Sequence, residues 1–281
     1  MPQLVWWLLA LAVLAAMYLF LIAPSRTRPD AAALSGKLYA HRGLHDGNHT
    51  VFENSMEAFR RAADAGYGIE LDVQLTLDGA LVVHHDGDTA RVCGVPAAIG
   101  QTHYDALPRL PDGSPVPLLA DVLALVAGRV PLIVEIKPYG SPEANAAAAL
   151  SLLKDYRGPY CVESFHPMAV RYFRKTAPGI VRGQLAMGGR RDPAEAGVAV
   201  HIALKYLLVN ALARPHFVAY QSASDQNLSM WLMKRLFRPL LVAWTVRSQP
   251  ALDRARKAYQ MNIFELFTPD APPQPSGTGR A

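Results

Sequence analysis

The 281-residue chain has only two cysteines, Cys93 and Cys161. That excludes a disulfide framework, and no pair of them has metal-binding spacing, so they read as free thiols. No run interleaves lysine and arginine with aromatic residues. The net charge is a mild +5, which disfavours nucleic acid as a partner and suits an anionic lipid surface or an anionic substrate. No internal repeat and no Gly-rich phosphate turn of the dinucleotide-binding kind is present. Nor is there a charged side chain between Met1 and Pro24.

That last absence is informative. "LVWWLLALAVLAAMYLFLIA", Leu4 to Ala23, is apolar throughout. At about 1.5 Å per residue it spans about 30 Å, the thickness of a bilayer core. Trp6, Trp7 and Tyr18 suit the two interfaces. A cleaved signal peptide has a basic n-region and a shorter apolar core, so a retained anchor is the expectation. Arg26, Arg28 and Lys37 follow the segment. The positive-inside rule then sets the main domain on the cytoplasmic side of an inner membrane. The division expected is an anchor at 1–24, a linker at 25–36, a main domain at 37–270 and a tail at 271–281.

Within the main domain, short apolar runs alternate with helical stretches. Strands are predicted at 37–41, 68–73, 130–136, 160–165, 180–186, 216–221, 240–246 and 262–267. Helices are predicted at 51–66, 118–129, 141–156, 167–178, 194–213, 227–238 and 249–260. Eight strands alternating with helices is the pattern of a (β/α)8 TIM barrel. The alternative, a doubly wound open sheet, leads one to expect a Gly-rich turn after the first strand, and "HRGLHDG" lacks that spacing. Chemistry on a barrel gathers at the C-terminal strand ends. His41, Arg42, Glu70, Asp72, Glu135, Lys137, Glu163 and Trp244 all fall there.

"ELDVQLTLDGALVVHHD", residues 70–86, adds a hairpin to the second strand. Asp78-Gly79 predicts a two-residue turn, with Leu77 opposite Ala80, Asp72 opposite His85 and Glu70 opposite Gly87. Period-two alternation puts Glu70, Asp72 and His85 on one face. Glu70, Asp72 and Glu135 supply oxygen ligands of the kind that Ca²⁺ or Mg²⁺ prefers. The competing arrangement is an ionic network with Arg42 and Lys137, which are equally suited to a phosphate. His41 and His85 are the acid/base candidates, since imidazole titrates near neutral pH. His84 is expected on the opposite face, and His45 among the surface or packing histidines. Glu53 and Asn54 are read either as supports of the "HRG" loop or as caps of the helix that follows.

"AHRGLHD", "ENSMEAF", "GIELDVQLTLDG", "LVVHHD", "PLLADVL", "VEIK", "ESF" and "WTV" resemble, in order and spacing, the glycerophosphodiester phosphodiesterases. The resemblance runs from about Leu38 to Thr268. It implies a (β/α)8 barrel of the phospholipase C-like type with one divalent metal, Ca²⁺ or Mg²⁺. Its ligands would be Glu70, Asp72 and Glu135, its acid/base pair His41 and His85, and its phosphate-binding residues Arg42 and Lys137. Trp244 matches a residue beside the alcohol part of the substrate. The "T-D" that commonly follows the last strand is replaced here by Thr268-Pro269. The reaction implied is metal-dependent hydrolysis of a glycerophosphodiester to sn-glycerol 3-phosphate and an alcohol. Two other readings stand beside it: a lysophospholipase D acting on membrane lysolipids, and a catalytically inert, membrane-tethered binding protein.

Overall fold

A computed structural model describes residues 2–189 and 197–270. Its sheet has nine strands: β1 (Leu38–His41), β2 (Gly68–Leu75), β3 (Leu81–Val83), β4 (Leu132–Ile136), β5 (Tyr160–Ser164), β6 (Arg182–Ala186), β7 (Phe217–Gln221), β8 (Leu240–Val246) and β9 (Met261–Phe264). All but β3 run parallel. They close into a barrel because β1 pairs with both β9 and β2. β1 covers Gly68–Glu70 of β2, and β3 pairs antiparallel with Val73–Leu75. The hairpin arm therefore takes over the edge of β2 that β1 leaves free.

Outside the barrel lie α1 (Pro2–Ile22), α2 (Met56–Asp64), α3 (Ala90–Cys93), α4 (Leu119–Val126), α5 (Pro142–Leu153), α6 (Pro167–Thr176), α7 (Val198–Lys205), α8 (Asn210–Ala213), α9 (Leu228–Leu232) and α10 (Gln249–Ala255). The amphipathic pattern explains their seating. In α2, Ser55 caps the first turn by accepting from the Ala58 N–H at 3.1 Å, and Ala58, Phe59, Ala62 and Ala63 form its buried face.

Two apolar layers result. One lies between strands and helices and includes Phe59, Leu71, Val134, Phe173 and Tyr220. The other fills the barrel, with Tyr39, Ile133, Cys161, Phe217 and Met261 among its members. Because strand side chains alternate, the next inward positions along these strands are His41, Glu135, Glu163, Ala219 and Ile263. The interior thus turns from apolar to acidic toward the C-terminal strand ends. At the other end Leu34 is buried in the apolar layer, and the Tyr39 hydroxyl donates to its carbonyl at 2.7 Å. Residues 25–36 thus pack in part against the barrel floor. The 271–281 segment lies outside the described residues.

The structure corrects three expectations. The hairpin pairs Val73 with Val83 and Leu75 with Leu81, a register one residue away from that predicted. Its loop has three residues, Leu77 to Gly79, closed by the Thr76 N–H donating to Ala80 O, with Gly79 at φ +82°. Asp-Gly thus serves a type I turn followed by a left-handed glycine rather than a two-residue turn. The helix predicted at 194–213 is broken into α7 and α8 at Leu207, whose φ is +58°; its residues 194–196 lie outside the described region. Last, β9 ends at Phe264 rather than at 267.

Gly183 shows how tightly the barrel is filled. A Cβ there would lie 2.0 Å from the Phe217 ring. Gly183→Ala is therefore expected to cost about 1–3 kcal/mol by overpacking, measurable as a lower midpoint in urea unfolding.

Candidate active site

The inward residues at the top of β1, β2 and β4 meet through the strand register. His41 pairs with Glu70, Asp72 with Glu135, and Glu135 with Glu163 on β5. Glu70, Asp72 and Glu135 each present an oxygen within 4.8 Å of the others, and all three are buried. Alternation along β2 puts Glu70 and Asp72 on one face, and the register of β4 brings Glu135 to them.

Its electrostatics are unbalanced. Burial, then repulsion from Asp72 and Glu135, pushes the Glu70 carboxyl well up. Burial also raises Glu135, against the pull of Lys137. Asp72 is the exception: burial opposes its charge, but Lys137, His85 and Arg42 together hold it well below the usual range. The Lys137 ammonium donates to Glu135 Oε1 at 2.9 Å and lies 3.3 Å from Asp72 Oδ1. Burial would neutralise it, yet Glu135 and Asp72 keep it charged. Asp72 Oδ1 itself is buried with no hydrogen-bond partner. Three converging carboxylates, two of them disfavoured as anions and one with an oxygen that accepts no hydrogen bond, fit a hard divalent cation.

Arg42 lies on the loop after β1, at φ +56°. Its N–H donates to Glu70 Oε2 at 3.0 Å, and its guanidinium reaches Glu53 at 2.7 Å and lies 3.5 Å from Asp72. Glu53 and Asn54 hold this loop, and Ser55 takes the cap. Asn54 donates from Nδ2 to Asp72 Oδ2 at 2.8 Å, and its backbone N–H donates to Arg42 O. Arg91, on α3, donates to both oxygens of Glu53 and to Asp86.

His41 donates from Nδ1 to Glu265 Oε1 at 2.9 Å, which leaves Nε2 as the unprotonated nitrogen, 3.8 Å from Glu70. Burial, then Arg42, lowers its pKa to about 4 despite Glu265, so it is neutral near pH 7. Glu265 directly follows β9. Arg247 donates to it, and His45 Nε2 is 3.6 Å away. Sequence reading missed Glu265, because a strand drawn to 267 placed it mid-strand. The signal was available: Met261, Ile263 and Glu265 share the inward parity. The acid closing the last strand is thus Glu265, three residues before Thr268. His45, expected at the surface or in packing, is the second imidazole against that acid.

His85 reaches the site by a different route from the one predicted. Asp72 pairs with His84, whose N–H donates to Asp72 O at 3.0 Å. β3 then stops, and Gln74 Nε2 donates to both His84 O and Asp86 O, holding the turn. His84 is buried and donates from Nδ1 to Asp86 O. His85 emerges half-exposed, donating from Nδ1 to Asp86 Oδ1 at 2.7 Å. Trp244 stands across the mouth on β8, edge-on to Phe165 with ring centroids 5.5 Å apart. Glu163, never singled out as a ligand, is fully buried beside Glu135, and burial followed by Glu135 and Asp72 keeps it protonated well above its ordinary range.

The glycerophosphoryl diester phosphodiesterase family model matches residues 41–270. The chain belongs to this family. A glycerophosphodiester phosphodiesterase of Bacillus altitudinis is 33% identical over 174 residues, 56% of this chain and 69% of the relative. A human lysophospholipase D is 37% identical over 81 residues, 28% of this chain and 24% of its own length. An Oleispira antarctica phosphodiesterase, solved in complex with the product sn-glycerol-3-phosphate, superposes with a TM-score of 0.66 at 21% identity, over 83% of this chain and 94% of that one. The resemblance in the motifs and the barrel inferred from strand order both stand, and the chain is an enzyme of the phosphodiesterase class.

Glu53 links fold to site, and its charge is measurable. Burial raises its pKa, but Arg91 and Arg42 outweigh burial and bring it to about 2, below an ordinary value of 4.5. The stabilisation is then complete above pH 4.5 and lost as pH falls through 2. Glu53→Gln is expected to be less stable than the wild type by about 3 kcal/mol at pH 7. The gap should narrow steadily below pH 4.5 in denaturant titrations.

Proposed function

We propose that the protein hydrolyses glycerophosphodiesters to sn-glycerol 3-phosphate and an alcohol, with one divalent cation and the His41–His85 pair. The carrying observation is the buried triad Glu70, Asp72 and Glu135, flanked by two imidazoles each fixed at Nδ1 by a carboxylate. Glu70, Asp72 and Glu135 would hold Ca²⁺ or Mg²⁺. Bound there, such an ion would supply positive charge that stabilises a phosphodiester as negative charge builds.

The chain's own groups do the rest. Arg42 and Lys137 bind non-bridging phosphate oxygens and stabilise charge developing there. Neutral His41 takes the proton of the attacking oxygen at Nε2, and Glu265 steadies the imidazolium that forms. His85 gives a proton to the leaving alkoxide while Asp86 fixes its ring. Trp244 and Phe165 pack against the alcohol portion. Glu53 and Asn54 orient Arg42 and Asp72 without touching substrate.

α1 is read as a retained anchor rather than a removed leader. Its apolar stretch, Gln3–Ile22, is long enough to cross a bilayer. Its last turn is built into the folded domain: Ile22 is buried, and the side chain of buried Asn210 donates to its carbonyl at 2.8 Å. Removal would strand that amide. Arg26, Arg28 and Lys37 after the helix support inner-membrane placement with a cytoplasmic barrel.

The test is hydrolysis of glycerophosphocholine and glycerophosphoethanolamine with Ca²⁺, Mg²⁺ or EDTA. Turnover is expected only with metal, and His41→Ala and His85→Ala should each lower kcat by about 10²–10⁴-fold. Activity that survives EDTA or both substitutions refutes the reading. Glu265→Gln is expected to lower kcat with little change in KM, since it acts through His41.

A further inference from the structure

The direction in which α1 leaves the barrel fixes which end of the enzyme meets the bilayer. β6 and β7 are parallel, so the α7–α8 connection runs back from the catalytic end of the barrel to its floor. Val198 is therefore near the catalytic end, and Arg214-Pro215 near the floor. α9 follows the top of β7, so its first residues are again at the catalytic end.

α1 contacts these landmarks in order. The Ser25 N–H donates to Pro215 O at 2.8 Å. Arg214 donates to Phe20 O and Ala23 O, and Asn210 to Ile22 O. Tyr18 is 2.6 Å from Ser229 Oγ, which donates to Tyr206 O. Moving toward its N-terminus, α1 thus climbs from the floor to the catalytic end. From Gln3 to Met17 it is exposed, projecting beyond its barrel contacts on the side of the active-site mouth.

The last turns of α1 pack beside Ser229 and Tyr206, so the part of the barrel next to the emerging helix is the part brought to the bilayer. The residues displayed there are Val198, Val200 and Ile202 on α7 and Leu228 and Trp231 on α9. They are 45% to 73% exposed, apolar side chains on the helices beside the emerging α1. Leu212 and Leu236 are also exposed. The opposite end carries a cleft lined by Arg28, Arg235, Arg238 and Lys257; seating that end on the membrane would require α1 to point the other way.

We propose that the corner formed by α7 and α9 is a bilayer-docking surface, continuous with α1, that turns the catalytic mouth toward the membrane interface. The substrate class this favours is a membrane-resident glycerophosphodiester with one acyl chain, a lysophospholipid, entering from the lipid side. The proposal rests on the anchor reading of α1 and on the hydrolytic site, and its two tests separate these.

Full-length protein is reconstituted into vesicles of phosphatidylcholine and phosphatidylglycerol, with an environment-sensitive dye on Val200→Cys, Trp231→Cys or Lys154→Cys. The native cysteines are buried, and Lys154 is exposed after α5, at the floor. Blue-shifted emission quenched by nitroxide lipid is expected at 200 and 231 and absent at 154. Quenching at 154 alone, or nowhere on vesicle-bound protein, overturns the docking surface, as does failure to stay with the vesicles. A Trp231–Trp231 cross-link in its place would assign the patch to a second copy and overturn it too. In the second test, Trp231→Asp is expected to lower hydrolysis of vesicle-borne lysophosphatidylcholine about tenfold and leave soluble glycerophosphocholine unchanged. Equal loss on both substrates overturns the lipid-side entry. Silence of the wild type on both substrates, with the quenching pattern intact, would fault the hydrolytic reading alone.

Discussion

Four carboxylates crowded into the upper interior of a closed barrel are the constraint that organises this molecule. Glu70, Asp72, Glu135 and Glu163 are all buried; burial and mutual repulsion disfavour the charged forms of Glu70, Glu135 and Glu163, while Lys137, His85 and Arg42 keep Asp72 ionised. Lys137 and Arg42 answer part of that charge, and their partners answer theirs in turn through Glu53, Asn54 and Arg91. Glu70, Asp72 and Glu135 are placed so that they could hold a metal ion as well. The polar groups around the mouth therefore form one connected electrostatic unit, and the apolar layer beneath it supplies a rigid floor.

Much of this was legible in the sequence because period-two alternation is a strong rule inside a barrel. Glu70 and Asp72, two apart on one strand, had to share a face, and Glu135 joined them through the strand-end rule. Other features were hidden because they depend on local backbone geometry. The three-residue loop at Leu77–Gly79 and the two-residue turn use the same Asp-Gly dipeptide, and they differ by one in register. His85 nonetheless reaches the site, because the strand ends before the slip can carry it to the other face. Glu265 was overlooked for a related reason: strand ends are set by hydrogen bonding that composition does not specify. The break at Leu207 was equally silent, since an apolar run suits one long helix as well as two short ones.

The N-terminal segment joins two length scales. A helix long enough to cross a bilayer also contributes its last turn to the domain's own packing, through Ile22, Tyr18 and the carbonyls that Asn210 and Arg214 satisfy. Helix α1 and the barrel are consequently held by direct packing at that joint.

Arg91 has a wider consequence. It stands outside the catalytic groups, on the short α3, yet its guanidinium grips Glu53, which orients the loop of His41 and Arg42, and Asp86, which orients His85. One side chain thereby acts as a caliper between the two imidazoles. Any displacement of α3 is felt by both histidines at once, so the spacing of the two imidazoles is set from a turn at the surface.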